Sequence, residues 1–128
     1  GGGDDGSGGG GPSDADVDRL IYLITPPSQV GDGQEFTVRV ALVDASGNIV
    51  PLSGVFIYLD LFQEGEDHPT NTYLRGERFE NTENGVAELV IRVEEEGRYQ
   101  LRALTDDLPS HQPHGPEPYL FSETFTVN

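Results

Sequence analysis

The sequence predicts an antiparallel β-sandwich of about seven strands, and three observations support that prediction. Apolar and polar residues alternate with a period of two from residue 17 onward. Clusters of Gly, Pro, Asn and Asp separate the alternating segments at spacings of roughly 8 to 20 residues. No segment of useful length carries the apolar stripe of an amphipathic helix.

The first three strands are predicted from alternation and from the residues that end it. Residues 17–24 form the first strand, which stops at Pro26-Pro27 because proline has no backbone N–H for a ladder. Residues 35–43 alternate regularly, so one face of this strand is apolar. Residues 55–62 are apolar on both faces, which is typical of a central strand covered on both sides.

Four more strands are predicted in the second half, and two of them are irregular. Gly76 lies inside the first of the four, which indicates an edge strand or a bulge. Glu123 falls on the apolar face of the last, which indicates a bulge or an exposed strand end. The four strands span residues 73–79, 85–93, 98–105 and 119–127.

Composition divides the chain into a tether, residues 1–13, and one domain, residues 14–128. Eight of the first eleven residues are glycine, and nothing in this segment can enter a core. A flexible tether of roughly 20 Å follows, unless a partner outside the domain holds it. The candidate site residues on the tether are its first five: Gly1, Gly2, Gly3, Asp4 and Asp5.

Charge and missing residue types exclude several function classes. Seven Arg and no Lys stand against 23 Asp and Glu, so the net charge is −16. That charge argues against nucleic acid and against anionic lipid surfaces, both of which need clustered positive charge. Without Cys there is no disulfide framework, thiolate nucleophile or iron–sulfur cluster, and without Lys there is no Schiff base. No apolar run approaches the ~18 residues that span a membrane.

Turn and strand motifs in residues 30–128 carry a family resemblance. They are a D-x-x-G-N turn, an N-G-x-A strand start and a G-x-Y-x-L-x-A strand: Asp44, Gly47, Asn48, Gly85, Ala87, Gly97, Tyr99, Leu101 and Ala103. This pattern resembles the immunoglobulin-like repeats of bacterial surface proteins of the invasin and intimin type. The resemblance implies an immunoglobulin-like antiparallel β-sandwich outside the cytoplasm. It also implies a tyrosine corner, in which the Tyr99 phenol donates a hydrogen bond to backbone near the start of its strand.

The N-terminal segment carries a second resemblance. A Gly/Asp/Ser-rich tether directly before a β-sandwich is similar to a mature bacterial or archaeal lipoprotein just after its lipidated cysteine. The resemblance implies a membrane anchor through an N-terminal lipid, with the domain in the periplasm or on the cell surface. The alternative is a linker within a longer multidomain protein.

Asp14, Asp16 and Asp18 alternate like the acids of a calcium loop. An EF-hand needs Gly at the sixth position and Glu at the twelfth, where this chain has Arg19 and Thr25. A looser Ca²⁺ site and a solvated strand start both remain open.

His111, His114 and Glu117 have the side-chain types that bind Zn²⁺ or Cu²⁺. The prolines around them prevent a helix that would put them on one face. The alternative is a solvated, proline-rich loop, and for both sets of residues the sequence favours solvation over a metal site while leaving the metal site open.

No motif for catalysis is present. The serines lie outside any G-x-S-x-G sequence, and no glycine-rich phosphate loop follows a strand. The sequence therefore predicts no catalytic residue, no cofactor and no enzymatic activity.

Two surfaces are predicted to meet a partner. The topology would bring residues 14–18, 44–53, 81–84 and 106–118 to one acidic end, which would attract a basic protein surface or divalent cations. Ordinary solvation, or a halophilic or GC-rich source, gives the same composition. On the strand 55–62 the aromatic set either lies under a neighbouring loop or forms a contact face: Phe56, Tyr58 and Phe62.

These predictions favour a non-enzymatic, membrane-tethered accessory subunit that makes protein–protein contacts in a cell-envelope assembly. The alternative is a free-standing surface module for adhesion or ligand binding, dependent on Ca²⁺ in one variant of this hypothesis.

Overall fold

The computed structural model describes residues 16–105 and 119–128. The tether and the proline-rich loop 106–118 lie outside these residues, so the boundary between tether and domain stays a prediction. Ten strands are present in the described part: β1 (Arg19–Ile24), β2 (Gln29–Val30), β3 (Phe36–Val43), β4 (Phe56–Gln63), β5 (Leu74–Gly76), β6 (Phe79–Asn81), β7 (Val86–Val93), β8 (Gly97–Leu104), β9 (Tyr119–Phe121) and β10 (Phe125–Val127). A 3₁₀ turn at Asn71–Tyr73 precedes β5.

The strands form two sheets, which confirms the predicted all-β sandwich. The first sheet has the order β1-β3-β7-β5, and every neighbouring pair in it is antiparallel. The second has the order β2-β10-β8-β4-β6, with β9 also paired to β8. Its one parallel pair among the described strands is β2 with β10.

The core lies between the sheets and is built from the inward set of each alternating strand. On β4 that set is Ile57, Leu59 and Leu61, and none of the three has any exposed surface. Tyr99 and Phe125 are the largest fully buried side chains, and their ring centroids lie 6.2 Å apart. Removal of this apolar area from water is the main favourable contribution to the free energy of folding. The chain has no cysteine and therefore no disulfide that could add to it.

Two phenols tie the sandwich together. Tyr22 on β1 donates to the carbonyls of Leu120 at 3.0 Å and Leu101 at 3.3 Å, so it joins the first sheet to the second. Tyr99 donates to the carbonyl of Glu95 at 3.0 Å, which confirms the hydrogen bond expected of its motif. Burial raises the pKa of the Tyr22 hydroxyl well above its usual range. Burial, helped by the Glu95 carboxylate, raises the pKa of Tyr99 to about 12.

The strand predicted at 73–79 is in fact two strands, because the chain changes sheets within it. β5 belongs to the first sheet and β6 to the second. Gly76 has a φ of 98°, and a Cβ there would lie 2.6 Å from the carbonyl oxygen of Val90. Glycine is therefore needed where the chain leaves β7.

The last predicted strand is also divided, at the position where Glu123 broke the alternation. Ser122 lies between β9 and β10, and its backbone N–H donates to the carbonyl of Leu101 at 2.7 Å. The short strand β2 was not predicted.

A search of the described residues for a helix long and apolar enough to cross a membrane finds none.

Candidate functional site

The outer side of the second sheet carries an unusual set of side chains. Since Ile57, Leu59 and Leu61 point into the core, the alternate residues of β4 face outward. Those residues are Phe56, Tyr58, Asp60 and Phe62. An outward face is normally polar, so three aromatic residues here call for a physical reason.

Three aromatic side chains form a cluster at one end of this side, and we call Phe56, Tyr58 and Phe79 the aromatic face. The ring of Phe56 lies 5.4 Å from that of Phe79 and 5.8 Å from that of Tyr58. Tyr58 pairs with Phe79 across β4 and β6, and with Leu104 across β4 and β8. Phe79 is 56% exposed and Phe56 is 38% exposed, so the cluster presents apolar surface to solvent.

Phe62 differs from the other two aromatic residues that β4 was predicted to offer to a partner. It is only 6% exposed. The ring of Phe121 meets it edge-on at 5.3 Å, and the Arg102 guanidinium lies 4.9 Å from its centroid. The sequence left open whether the aromatic residues of β4 are covered or exposed. Both occur on this strand: Phe62 is covered, whereas Phe56 is exposed.

An ion pair separates Phe62 from the aromatic face. Asp60 accepts from Arg102 at 2.6 Å and from the Asn71 amide at 2.8 Å. Asn71 in turn accepts from the backbone N–H of Leu61 at 2.7 Å. Asp60 is 8% exposed, so these bonds satisfy a carboxylate that is largely removed from water.

An acidic cleft adjoins the aromatic face along β6. Its volume is about 410 Å³, and it is lined by Arg39, Glu77, Glu80, Asn81, Glu83, Val86 and Glu88. Arg39 pairs with Glu88 at 2.9 Å, and no described cation forms an ion pair with the other three glutamates. Asn81 pairs with Phe56 across the strands, so the cleft and the aromatic face share strand β6.

The sequence did not single out Phe79 or three of the cleft glutamates, Glu77, Glu80 and Glu88, whereas Glu83 lies in the predicted acidic loop 81–84. Phe79 and Glu80 end or follow a predicted strand, but only the pairing of β6 with β4 brings them beside Phe56. Glu88 and Arg39 come together through the register of β3 and β7. Neither register can be derived from one sequence by periodicity.

The predicted acidic end is present in the part that the structure describes. The backbone N–H of Asn84 donates to the Ser53 hydroxyl at 3.0 Å, which joins two of the predicted loops. The backbone N–H of Asp18 donates to the carbonyl of Val43 at 2.7 Å, which brings the start of β1 to the same end. The fourth loop, 106–118, lies outside the described residues.

No group of three or more His, Cys, Asp or Glu side chains that could hold a metal ion occurs among residues 16–105 and 119–128. Asp16 and Asp18 belong to these described residues, and Arg19 donates to the Asp18 carboxylate at 3.1 Å. The other metal candidates are not described: Asp14, His111, His114 and Glu117. The tether residues Gly1, Gly2, Gly3, Asp4 and Asp5 also lie outside the described part.

Neither a family model nor a curated protein sequence matches this chain. Among solved structures, the chain is similar to a superoxide reductase (neelaredoxin) from Ignicoccus hospitalis. That match has 14% sequence identity and a TM-score of 0.47, and it covers 89% of this chain and 83% of the other. At this identity and TM-score, no active-site residue can be transferred to this chain.

These findings contradict the resemblance to bacterial immunoglobulin-like surface domains. No family model supports it, and a solved structure that matches the chain is an enzyme by name. The predictions built on the resemblance are wrong as stated: a non-enzymatic, lipoprotein-like accessory subunit of the envelope, or a free-standing adhesion module, in either case without catalytic activity or cofactor. Contact with a protein partner and a location outside the cytoplasm are not tested and stay predictions.

The physical reason for the error is that the shared motifs are turn chemistry. The Asp44 carboxylate accepts from the backbone N–H groups of Ser46 and Asn48, each at 2.9 Å. Gly47 has a φ of 88°, which glycine adopts without strain. Any antiparallel strand connection of this shape needs such residues, so they predict the sandwich and do not identify its family.

Proposed function

We propose that this chain binds a protein partner through its aromatic face. One observation carries the proposal: Phe79, 56% exposed, lies against Phe56, 38% exposed, on the outer side of a sheet. Exposed apolar side chains that stand singly are ordinary on protein surfaces, whereas contiguous ones mark contact sites. Aromatic residues are enriched at the centres of protein–protein interfaces.

The surroundings of the aromatic face support the same proposal. Leu104 continues the apolar row beyond Tyr58. The Asp60–Arg102 ion pair and the glutamates of the cleft lie at its borders. An apolar centre with a polar rim is the usual anatomy of a specific interface. Such faces occur on enzymes and on other proteins alike.

A photo-crosslinking amino acid at position 79, introduced in the native host, tests the proposal. Leu23 on β1 is the matched control position, because it is 43% exposed and lies on the other sheet. We expect a protein to be crosslinked from position 79 and not from position 23. That protein is then purified, and its affinity is measured for the wild type, Phe79→Ser and Leu23→Ser.

We expect Phe79→Ser to weaken binding at least tenfold, because an exposed aromatic residue at the centre of an interface contributes about 2 kcal/mol or more. Leu23→Ser should leave the affinity unchanged. The melting temperatures of both variants should stay near that of the wild type, since both side chains are exposed in the free chain. Equal affinity of the wild type and Phe79→Ser would overturn the proposal.

A further inference from the structure

We infer that the segment of the partner docking on the aromatic face is an extended, basic strand that pairs with β6. This inference rests on the proposed function and specifies the chemistry of the partner. It follows from three features of β6: its place at a sheet edge, the direction of its free backbone groups, and the charge beside it.

β6 ends the order of the second sheet, with β4 as its one ladder partner among the described strands. The backbone N–H of Leu59 donates to the carbonyl of Arg78 at 2.8 Å, and that of Thr82 donates to the carbonyl of Val55 at 2.9 Å. Hydrogen-bonded pairs alternate along an antiparallel ladder, so Phe79 and Asn81 occupy the positions between them. The backbone N–H and C=O groups of these two residues therefore point away from β4, into the gap between two contacts with β7: the backbone N–H of Glu77 donates to the carbonyl of Val90, and that of Glu83 donates to the carbonyl of Val86, each at 2.8 Å.

The gap between these two contacts can accept a short added segment in an extended conformation. Extended peptides bind in this way through main-chain hydrogen bonds, and pockets for alternate side chains give the specificity. Phe79 and Asn81 together offer two donors and two acceptors, enough to pair with a short segment. β6 has no proline, so every residue of the strand keeps its backbone donor.

Charge decides what kind of strand fits. Glu77, Glu80 and Glu83 border β6 without an ion-pair partner among the described residues. The one cation that lines the described cleft, Arg39, is held by Glu88. Arginine or lysine side chains of an added strand would meet these carboxylates, and a guanidinium could also stack on an exposed aromatic ring.

Side-chain alternation gives the pattern of the partner segment. Phe79 and Glu80 point to opposite sides of β6, as neighbours on a strand do. A strand added beside them would have one set of side chains near the aromatic face and the other near the acidic cleft. The matching segment alternates apolar and basic residues.

A second copy of this chain does not satisfy these requirements. Pairing β6 with β6 would bring two sets of four cleft glutamates together, in chains that each carry a net charge of −16. Repulsion between these carboxylates opposes association of two copies. The occupant is therefore a different protein.

The test uses the whole chain and a synthetic octapeptide that alternates arginine and valine, labelled with a fluorophore for anisotropy. Two further peptides isolate the two contributions. In one, glutamate replaces every arginine. In the other, the backbone nitrogens that face β6 are methylated, which removes the donors of the added strand without changing charge. Backbone amide NMR shifts of Phe79 and Asn81 report the site of binding.

We expect the arginine peptide to bind and to shift the amide resonances of Phe79 and Asn81. Its affinity should fall as salt is added. The glutamate and N-methylated peptides should each bind at least tenfold more weakly. Glu80→Gln combined with Glu83→Gln should weaken the arginine peptide about tenfold. Glu123→Gln is the control for location, because it removes one negative charge on the far side of β4 and β8, against two in the double variant, and it should have no effect.

Several outcomes would overturn the inference. They are no binding of the arginine peptide, equal binding of the N-methylated peptide, and shifts confined to residues away from β6. Its failure is distinguishable from failure of the proposed function by the crosslinked partner. Suppose that Phe79→Ser lowers the affinity for that partner while Glu80→Gln combined with Glu83→Gln does not. The aromatic face then binds a protein of another chemistry. If neither variant weakens it, both proposals are wrong.

Discussion

At the scale of the residue, Tyr22 shows how one hydroxyl group can hold two sheets together. Its ring packs at the border of the core, and its hydroxyl lies between two carbonyls of the second sheet. Leu120 belongs to β9 and Leu101 to β8, so one phenol fixes β1 against two paired strands. The Leu101 carbonyl also accepts from the backbone N–H of Ser122, so the phenol adds a link between the sheets to groups that already belong to a strand pair.

We predict that Tyr22→Phe lowers the free energy of unfolding by about 1 kcal/mol, because the hydroxyl of Tyr22 no longer links β1 to the carbonyls of Leu101 and Leu120. Urea unfolding at neutral pH measures this change. Tyr73→Phe is the control, since Tyr73 packs against the same core and its hydroxyl has no hydrogen bond to a described residue. An equal effect of both substitutions would show that the two bonds of Tyr22 contribute nothing net.

At the scale of the element, the contact between β7 and the segment before β4 depends on a missing side chain. The carbonyl of Leu52 accepts from the backbone N–H of Gly85 at 3.1 Å. A Cβ on Gly85 would collide with the carbonyl oxygen of Val50 and lie 2.7 Å from Cγ2 of Ile49. Gly85 also has a φ of 87°, so two constraints act on one residue.

We predict that Gly85→Ala lowers the free energy of unfolding by more than about 3 kcal/mol, because backbone must move to admit the methyl group. Gly54→Ala separates the two constraints. Gly54 has a φ of 86°, but a Cβ there would have nothing within 4 Å. Its substitution should cost about 1 kcal/mol, the strain of a left-handed conformation alone. Similar losses from both substitutions, measured by thermal and urea unfolding, would contradict this account.

The strands were predictable wherever local chemistry decides them. Pro26-Pro27 follows the end of β1 because proline cannot continue a ladder, and the alternation around Val38 and Val40 fixed the inward face of β3. The change of sheet between β5 and β6 was not predictable. It depends on Gly76 fitting against β7, and that contact is a property of the packed sheets.

The candidate site was predictable only in part, for the same reason. Phe56 and Tyr58 follow from the surplus of apolar residues on β4, which one face of a strand cannot bury. Phe62 followed the same pattern and yet is covered, because Arg102 and Phe121 come from strands distant in sequence. Glu80 and Glu88 meet in one cleft through strand pairing, and the alternation of a single strand contains no information on its neighbours.

At the scale of the whole molecule, negative charge dominates. The chain carries −16 at pH 7, and its described arginines mostly sit in surface ion pairs such as Arg39–Glu88 and Arg98–Glu64. Exposed pairs of this kind contribute little to stability. Glu94 is an example: the hydrogen bond from Arg92 lowers the pKa of its carboxyl, yet the group stays in solvent. Self-repulsion therefore leaves the sandwich dependent on its core, and any further negative charge in the core acts against it.

Alkaline pH supplies such charge, so we predict that the folded state loses stability as pH rises above about 10. A free tyrosine ionises near pH 10, whereas burial raises the pKa of Tyr99 to about 12 and that of Tyr22 further. The unfolded chain thus releases these protons first. The stability linked to them is complete below pH 10 and is lost as pH rises through the folded-state pKa values.

Urea unfolding from pH 8 upward should show a constant free energy of unfolding that then declines. The decline should be shallower in Tyr99→Phe, although that variant starts lower because it lacks the bond to Glu95. Phenolate absorbance of the native protein gives an independent check, since Tyr22→Phe and Tyr99→Phe should each remove one late ionisation from the titration curve. If neither substitution removes a late ionisation while the protein stays folded, neither phenol is buried as described.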